Sequence, residues 1–232
     1  FRLMKTTGKS AIVLGATGLV GGTLLQLLLK DDRYHKVILF SRKSVGFQHA
    51  KLEEYLLDLL ELQEQKTRFK ADEVFCCIGT TNAKTPDKQQ YKKIDYGIPV
   101  KVAGLCKEHG ISSLLVVSAL GANSSSAIFY NRVKGEMEEA ILQLGITKTH
   151  IAQPSLIGGE RKEKRPMEYL FKRLMTTFGF LLFGPLKKYR IIHPNQIAMA
   201  MIWLANTHYY KRIIQSEELK TLAAHGYGRD RT

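Results

Sequence analysis

The stretch Gly15-Ala16-Thr17-Gly18-Leu19-Val20-Gly21 restricts this chain to few folds. An apolar run, Ala11-Ile12-Val13-Leu14, precedes it, and a leucine-rich run from Leu24 to Leu29 follows. A short β-strand, a glycine loop and a helix in that order open a dinucleotide-binding unit. Gly15 permits the tight turn after the strand, Gly18 lets backbone N–H groups approach a diphosphate, and Gly21 lets the helix pack on the sheet. The helix start then offers unpaired N–H groups and a positive dipole end to the phosphates. Gly15, Thr17, Gly18, Leu19, Val20 and Gly21 are therefore expected to hold a dinucleotide.

The pattern beyond the loop agrees. Strand-like apolar runs recur at 11–15, 37–41, 54–58, 74–79, 114–118 and 150–153, with helix-like runs at 21–30, 59–67, 94–109 and 130–144. Alternating β and α segments with continuously apolar strands predict an α/β fold, a Rossmann-type doubly wound parallel sheet covered on both faces. The strand at 54–58 competes with a single helix over 51–65, because its leucines also fit a helical face. One domain over 1–232 is expected, with a core at about 10–157 and a small substrate-side part from 158 onward. That part reads as a charged loop at 160–165, a helix at 167–177, a strand at 189–192, a helix at 196–206 capped by Asn195, and a strand at 212–215.

The second strand ends Phe40-Ser41-Arg42-Lys43. An acid here usually bonds the ribose 2′-hydroxyl of NAD, and none is present. Arg42 and Lys43 suit a 2′-phosphate, onto which a guanidinium forks, with Ser41 beside them. NADP(H) is expected in preference to NAD(H). Asp58 is placed to accept from the adenine amino group, or is simply an acid on a helix surface. The turn Cys77-Ile78-Gly79-Thr80-Thr81 is expected along the adenosine and ribose edge, with Cys77, Gly79, Thr80 and Thr81 as contacts, glycine allowing the close approach.

Tyr130 and Lys134 stand four apart, on one side of a helix. An ammonium beside a phenol favours the phenolate, and such a tyrosine passes a proton to or from a carbonyl or alcohol oxygen. The pair opens the helix after the fifth strand, at the carboxyl edge where open α/β sheets bind ligands. That strand ends Val116-Val117-Ser118, so Ser118 is the candidate to bond the reacting oxygen, or else a strand-end cap. Ser124, Ser125 and Ser126 are rival hydroxyls on the following loop.

Together the glycine loop, the strand-end serine and Tyr-x-x-x-Lys resemble the short-chain dehydrogenase/reductase superfamily, in its extended and atypical branches. Phe75-Cys76-Cys77-Ile78-Gly79-Thr80-Thr81, Ser118-Ala119-Leu120-Gly121-Ala122 and Phe129-Tyr130-Asn131-Arg132-Val133-Lys134-Gly135-Glu136 further resemble the Tat-interactive-protein-like oxidoreductases and their bacterial relatives. The resemblance covers roughly 10–205. It implies NADP(H) binding and a catalytic set of Ser118, Tyr130 and Lys134, with Tyr130 and Lys134 also holding the nicotinamide ribose. It places Asp95 where many members carry a helix asparagine. It also sets Gln153-Pro154-Ser155 along the nicotinamide, with Pro154 as a contact. Relatives often carry arginine where Gln153 stands, a departure that weighs against an anion-binding role there. His193 is expected to be structural. The implied function is hydride transfer to or from a small carbonyl or alcohol. The alternative is a cofactor-binding regulator acting through protein partners, as some relatives are.

Net charge is +14 at pH 7, and residues 151–232 carry 14 Lys and Arg against 6 Asp and Glu. Nucleic acid, anionic membrane and phosphorylated ligands are the possible attractors. With no helix-turn-helix, zinc or aromatic RNA-binding pattern, a solvated basic surface is expected rather than nucleic-acid binding. Cys76, Cys77 and Cys106 show neither disulfide nor zinc spacing, so no metal is expected, and Cys76 and Cys77 read as buried free thiols. No secretory signal is legible, and the apolar run at 178–186 is far below the roughly 20 residues that span a bilayer. A reduced, cytoplasmic protein fits. Residues 169–186 are apolar and aromatic and read as core or pocket, with a dimer face or a membrane surface as alternatives.

Overall fold

The computed structural model describes residues 8–81, 83–158 and 190–227. The charged loop at 160–165, the helix expected at 167–177 and the apolar segment 169–186 lie outside the described residues.

Seven strands form one sheet in the order β3-β2-β1-β4-β5-β6-β7, and every neighbouring pair is parallel. They are β1 (Lys9–Leu14), β2 (Tyr34–Ser41), β3 (Leu52–Leu56), β4 (Glu73–Cys76), β5 (Ser113–Val117), β6 (Lys148–Gln153) and β7 (Ile213–Gln215). Side chains alternate across a strand, and β1 shows the consequence. Ala11 and Val13 enter one core with α1 (Leu19–Lys30), α5 (Pro194–Asn206) and α6 (Ser216–Tyr227). Ile12 and Leu14 enter the other, with a 3-10 segment (Leu59–Arg68), α3 (Ile98–Glu108) and α4 (Phe129–Gln143). Both faces of the sheet are thus covered, which explains the unbroken apolar strands. Leu24, Leu25 and Leu28 of α1 are fully buried, each contributing roughly 1.5–3 kcal/mol of transfer free energy.

Four expectations need correction. Asp58 does not end the third strand, which stops at Leu56; it caps the 3-10 segment by accepting from Leu60 N–H at 3.0 Å. No single helix runs over 51–65, because Leu52–Leu56 pairs with β2 in register. No strand forms at 190–192; Ile192 makes one isolated bridge to Ile157. Helix α5 is capped by His193, one residue before Pro194, and not by Asn195: the Gln196 side chain accepts from His193 N–H at 3.1 Å. A proline at the first helical position has no N–H to satisfy, so the cap falls before it.

The helix read at 94–109 starts earlier, as α2 (Lys88–Lys92), and passes through a π-turn (Lys93–Gly97) into α3. The π-turn carries Asp95 inward, where it is fully buried.

Candidate active site

The sheet order reverses between β1 and β4, and the crevice for a ligand opens there. Cys77 N–H donates to Leu14 O at 2.9 Å, joining the two strand ends. Gly15 turns there with φ +85°, and a Cβ on it would sit 2.5 Å from Cys77 O. A Cβ on Gly21 would sit 2.2 Å from Gly15 O, so α1 packs directly on the loop. Gly18 is the N-cap of α1 and bonds no side chain, and the first turn has no acid. Leu19, Val20 and Gly21 form that turn, while Thr17 and Gly18 are exposed. An uncapped helix start at the mouth of the crevice, without a carboxylate to repel an anion, fits a dinucleotide diphosphate.

Beyond β2, Ser41 is buried, and its hydroxyl donates to Lys43 O at 2.9 Å. Arg42 and Lys43 are exposed. Leu57 N–H donates to Ser41 O at 2.9 Å, which brings Asp58, also exposed, to the same edge. These residues form one end of the crevice, two strands away from the turn after β4.

At the other end lies a buried ion pair. Lys134 Nζ is 2.8 Å from Asp95 Oδ1, with side chains 3% and 0% exposed. The second Asp95 oxygen accepts from Thr80 N–H at 2.7 Å. Gly79 lies against the pair: a Cβ there would be 3.6 Å from Asp95 Oδ1 and 3.7 Å from Lys134 Nζ. Burial is the largest single effect and lowers the pKa of Lys134, but the Asp95 carboxylate and Tyr130 together outweigh it and hold the ammonium above its usual range. Thr80 and Thr85 hydroxyls pair at 2.9 Å, while the Thr81 hydroxyl is buried. Tyr130 is half-buried one turn before Lys134 and interacts with it electrostatically. Its ring meets Tyr91 edge-on, with centroids 6.1 Å apart. Tyr91 is fully buried; burial first, then the charge of Asp95, pushes its phenol far above the ordinary range.

Ser118 is buried directly after β5, and its N–H donates to Ala152 O of β6 at 2.7 Å. Its hydroxyl is buried and has no hydrogen-bond partner among the described residues. Gln153 Nε2 reaches both Glu138 oxygens, at 3.0 and 2.9 Å. Pro154 is buried, and its carbonyl accepts from Leu120 N–H at 2.9 Å. The rival serines point elsewhere. Ser124 bonds Glu139, Ser125 is exposed, and Ser126 accepts from Ile128 N–H within its own turn. Cys76 and Cys106 are buried, with thiols pushed by burial to about 11 and about 12, whereas Cys77 is partly exposed rather than buried.

Tyr130, Lys134, Gly79, Thr80 and Ser118 are thus gathered at the carboxyl ends of β4 and β5, and the glycine loop, Cys77, Ser41, Arg42 and Asp58 along the crevice beside them. Sequence reasoning overlooked Tyr91 and Glu138 and left Asp95 undecided. The signal existed: Tyr91 and Asp95 are four apart, and Glu138 continues the Tyr130–Lys134 spacing by one more turn.

Comparison with known proteins agrees with this fold. A family profile described as NAD(P)H-binding matches residues 15–157. Protein HTATIP2 of Rattus norvegicus is 31% identical over 177 residues, covering 75% of this chain and 73% of the rat protein. The protein named FMP52-1, mitochondrial, of Scheffersomyces stipitis is 32% identical over 189 residues, covering 75% of this chain and 83% of its own. Among solved structures, UDP-glucose 4-epimerase of Thermotoga maritima superimposes with a TM-score of 0.67 at 13% identity, covering 96% of this chain and 84% of the epimerase. WbmG of Bordetella bronchiseptica in complex with NAD gives a TM-score of 0.67 at 12% identity, covering 99% and 82%. The fold is that of the NAD-binding epimerases, and the chain belongs to the NAD(P)H-binding atypical short-chain dehydrogenase/reductase family.

Proposed function

We propose that the protein is an NADP(H)-dependent oxidoreductase acting on a small carbonyl or alcohol. The observation that supports this most is the fully buried Lys134 ammonium one turn after Tyr130, against the Gly79–Thr80 turn at the ligand edge of the sheet. A buried ammonium is costly unless it has work or a partner there. Bound NADP(H) would supply the hydride. Tyr130 donates the proton to the carbonyl oxygen in reduction, Lys134 stabilises the charge left on the phenol and holds the ribose, and Ser118 donates a hydrogen bond to the reacting oxygen. Arg42 and Lys43 carry the preference for a 2′-phosphate. Residues 158–232 complete the substrate side of a single domain. The location is a reduced compartment, cytoplasmic on the sequence reading; relatives in Candida albicans and Scheffersomyces stipitis are named mitochondrial, and cell fractionation decides between the two. Among the described residues no helix is long and apolar enough to cross a membrane.

The test is NADPH oxidation by wild type and Tyr130→Phe across a carbonyl panel, with NADPH binding followed by fluorescence. Turnover is expected to fall about 10²–10⁴-fold in the variant, with binding nearly unchanged. Equal turnover in both proteins overturns the assignment of Tyr130.

A second reading, a cofactor-binding regulator with little catalysis, is favoured by one observation. Asp95 neutralises the Lys134 charge on which proton transfer through Tyr130 depends. Tight NADPH binding without turnover on any carbonyl, together with a partner interaction that responds to NADPH, supports that reading instead.

A further inference from the structure

The loop after β2 is held by an acid from the neighbouring strand. Glu54 lies on β3, half-buried and paired in register with Leu39 of β2. Both of its carboxylate oxygens reach the loop: Oε2 accepts from the Ser44 hydroxyl at 2.6 Å, and Oε1 accepts from Val45 N–H at 2.9 Å. Ser44 Oγ in turn accepts from Gly46 N–H at 3.0 Å, and Gly46 turns the chain with φ +81°. On the strand side, the Ser41 hydroxyl donates to Lys43 O at 2.9 Å. The Val45 side chain packs with Leu52 of β3 against the core shared with α1. The loop is thus pinned on both sides of Arg42 and Lys43, while those two side chains stay exposed. Among the described residues no acid pairs with either of them. Glu53 is committed to Lys36, and Asp58 to Leu60 N–H.

The charge of Glu54 and its geometry point in opposite directions. A carboxylate near a phosphate site repels the phosphate and competes for the guanidinium. By charge alone, removing Glu54 strengthens NADPH binding. Yet each Glu54 oxygen is already taken by a neutral donor of the loop, and hydrogen bonds to a carboxylate are among the strong ones. A loop ordered before the ligand arrives spares the cost of ordering it on binding. We propose that Glu54 is a positioning residue for cofactor choice: it fixes the Ser44–Val45 turn so that Arg42 and Lys43 are presented to the 2′-phosphate, and it acts through them rather than on the nucleotide. The role in cofactor choice rests on the NADP(H) reading; the hold of Glu54 on the loop does not.

Two measurements on the full chain test this. The first is titration calorimetry with NADPH and NADH. Glu54→Ala is expected to weaken NADPH binding about 3–10-fold, as loss of the loop's hydrogen bonds implies, and to leave NADH nearly unaffected. Glu54→Gln keeps an acceptor for the loop and is expected to recover most of the affinity. In an Arg42→Ala background the effect of Glu54→Ala is expected to shrink, because the two residues act as one unit. Tighter NADPH binding in Glu54→Ala means that the residue acts by charge, and equal losses for both nucleotides mean that it serves the fold alone; either overturns the proposal. The second measurement needs no nucleotide. Solvent exchange of the Val45 amide, followed by NMR, is expected to quicken in Glu54→Ala and to stay near wild type in Glu54→Gln. Ser44→Ala, which removes one of the two bonds from an exposed side chain, is expected to shift both readouts in the same direction by less. Unchanged Val45 exchange in Glu54→Ala overturns the hold on the loop. Wild type that binds NADPH and NADH equally overturns the NADP(H) reading and the role in cofactor choice with it, and Val45 exchange that still quickens in Glu54→Ala distinguishes that result from a failure of the hold itself.

Discussion

Lys134 is the residue on which most of the site depends, and its partner is what the sequence showed least clearly. Tyr130 and Lys134 were legible because four-residue spacing puts both on one helical face. Periodicity identifies a face but says nothing of what it faces, so Asp95, thirty-nine positions earlier, remained one helix acid among others. The ion pair has a measurable consequence. Asp95→Asn keeps an acceptor for Thr80 N–H but leaves the buried ammonium unpaired, and is expected to cost about 3–5 kcal/mol in urea unfolding. Because folding raises the Lys134 pKa, the stability from this pair is complete below the unfolded value of 10.5 and fades as pH rises beyond it. That alkaline loss is expected to vanish in Asp95→Asn. At the far end of the crevice, Arg42→Ala is expected to weaken NADPH binding about 10–100-fold while leaving NADH nearly unaffected, as loss of a charge-assisted bond to phosphate requires. Titration calorimetry with both nucleotides checks it.

Among the elements, those packed on both sides were the easiest to read. Strands β1, β4 and β5 are apolar beyond their first one or two residues because helices cover both faces, and each expected run overlaps its strand. Strand β3 lies at the sheet edge, and its sequence Leu-Glu-Glu-Tyr-Leu is half-exposed, which is why its leucines fitted helix and strand alike. The π-turn gave no signal, since one extra residue in a helical turn hardly disturbs the periodicity around it. A closer contact joins α4 to the serine-rich loop. A Cβ on Gly135 would lie 2.1 Å from Ser124 N and 2.2 Å from Asn123 C, both backbone atoms that cannot swing aside. Gly135→Ala is expected to displace the loop that continues from Ser118, cost about 1–3 kcal/mol, and reduce turnover more than NADPH affinity. Chemical denaturation and steady-state kinetics on the same variant separate the two effects.

Across the molecule, the two ends of the sheet are built for different purposes. The carboxyl end holds the crevice; the amino end is closed by a buried polar cluster that joins distant parts of the chain. Glu73 accepts from Lys9 Nζ and Tyr34 OH, both at 2.6 Å, and Asn206 Nδ2 donates to the same Tyr34 oxygen at 2.8 Å. Tyr34→Phe removes a buried donor to a carboxylate and is expected to cost about 1–3 kcal/mol in thermal or urea unfolding, without effect on cofactor binding. This cluster was invisible in the sequence because its members are separated by up to 197 positions. The sheet order has a further consequence, in time rather than in space. All neighbouring strands run parallel, so no rung is closed by a hairpin, and every pairing waits for a crossover to be made. Synthesis delivers β1 first, yet one of its two edges stays bare until β4 has emerged. The strand that bears the glycine loop therefore stays open to wrong partners on the ribosome for as long as the chain between Leu14 and Cys76 takes to be made.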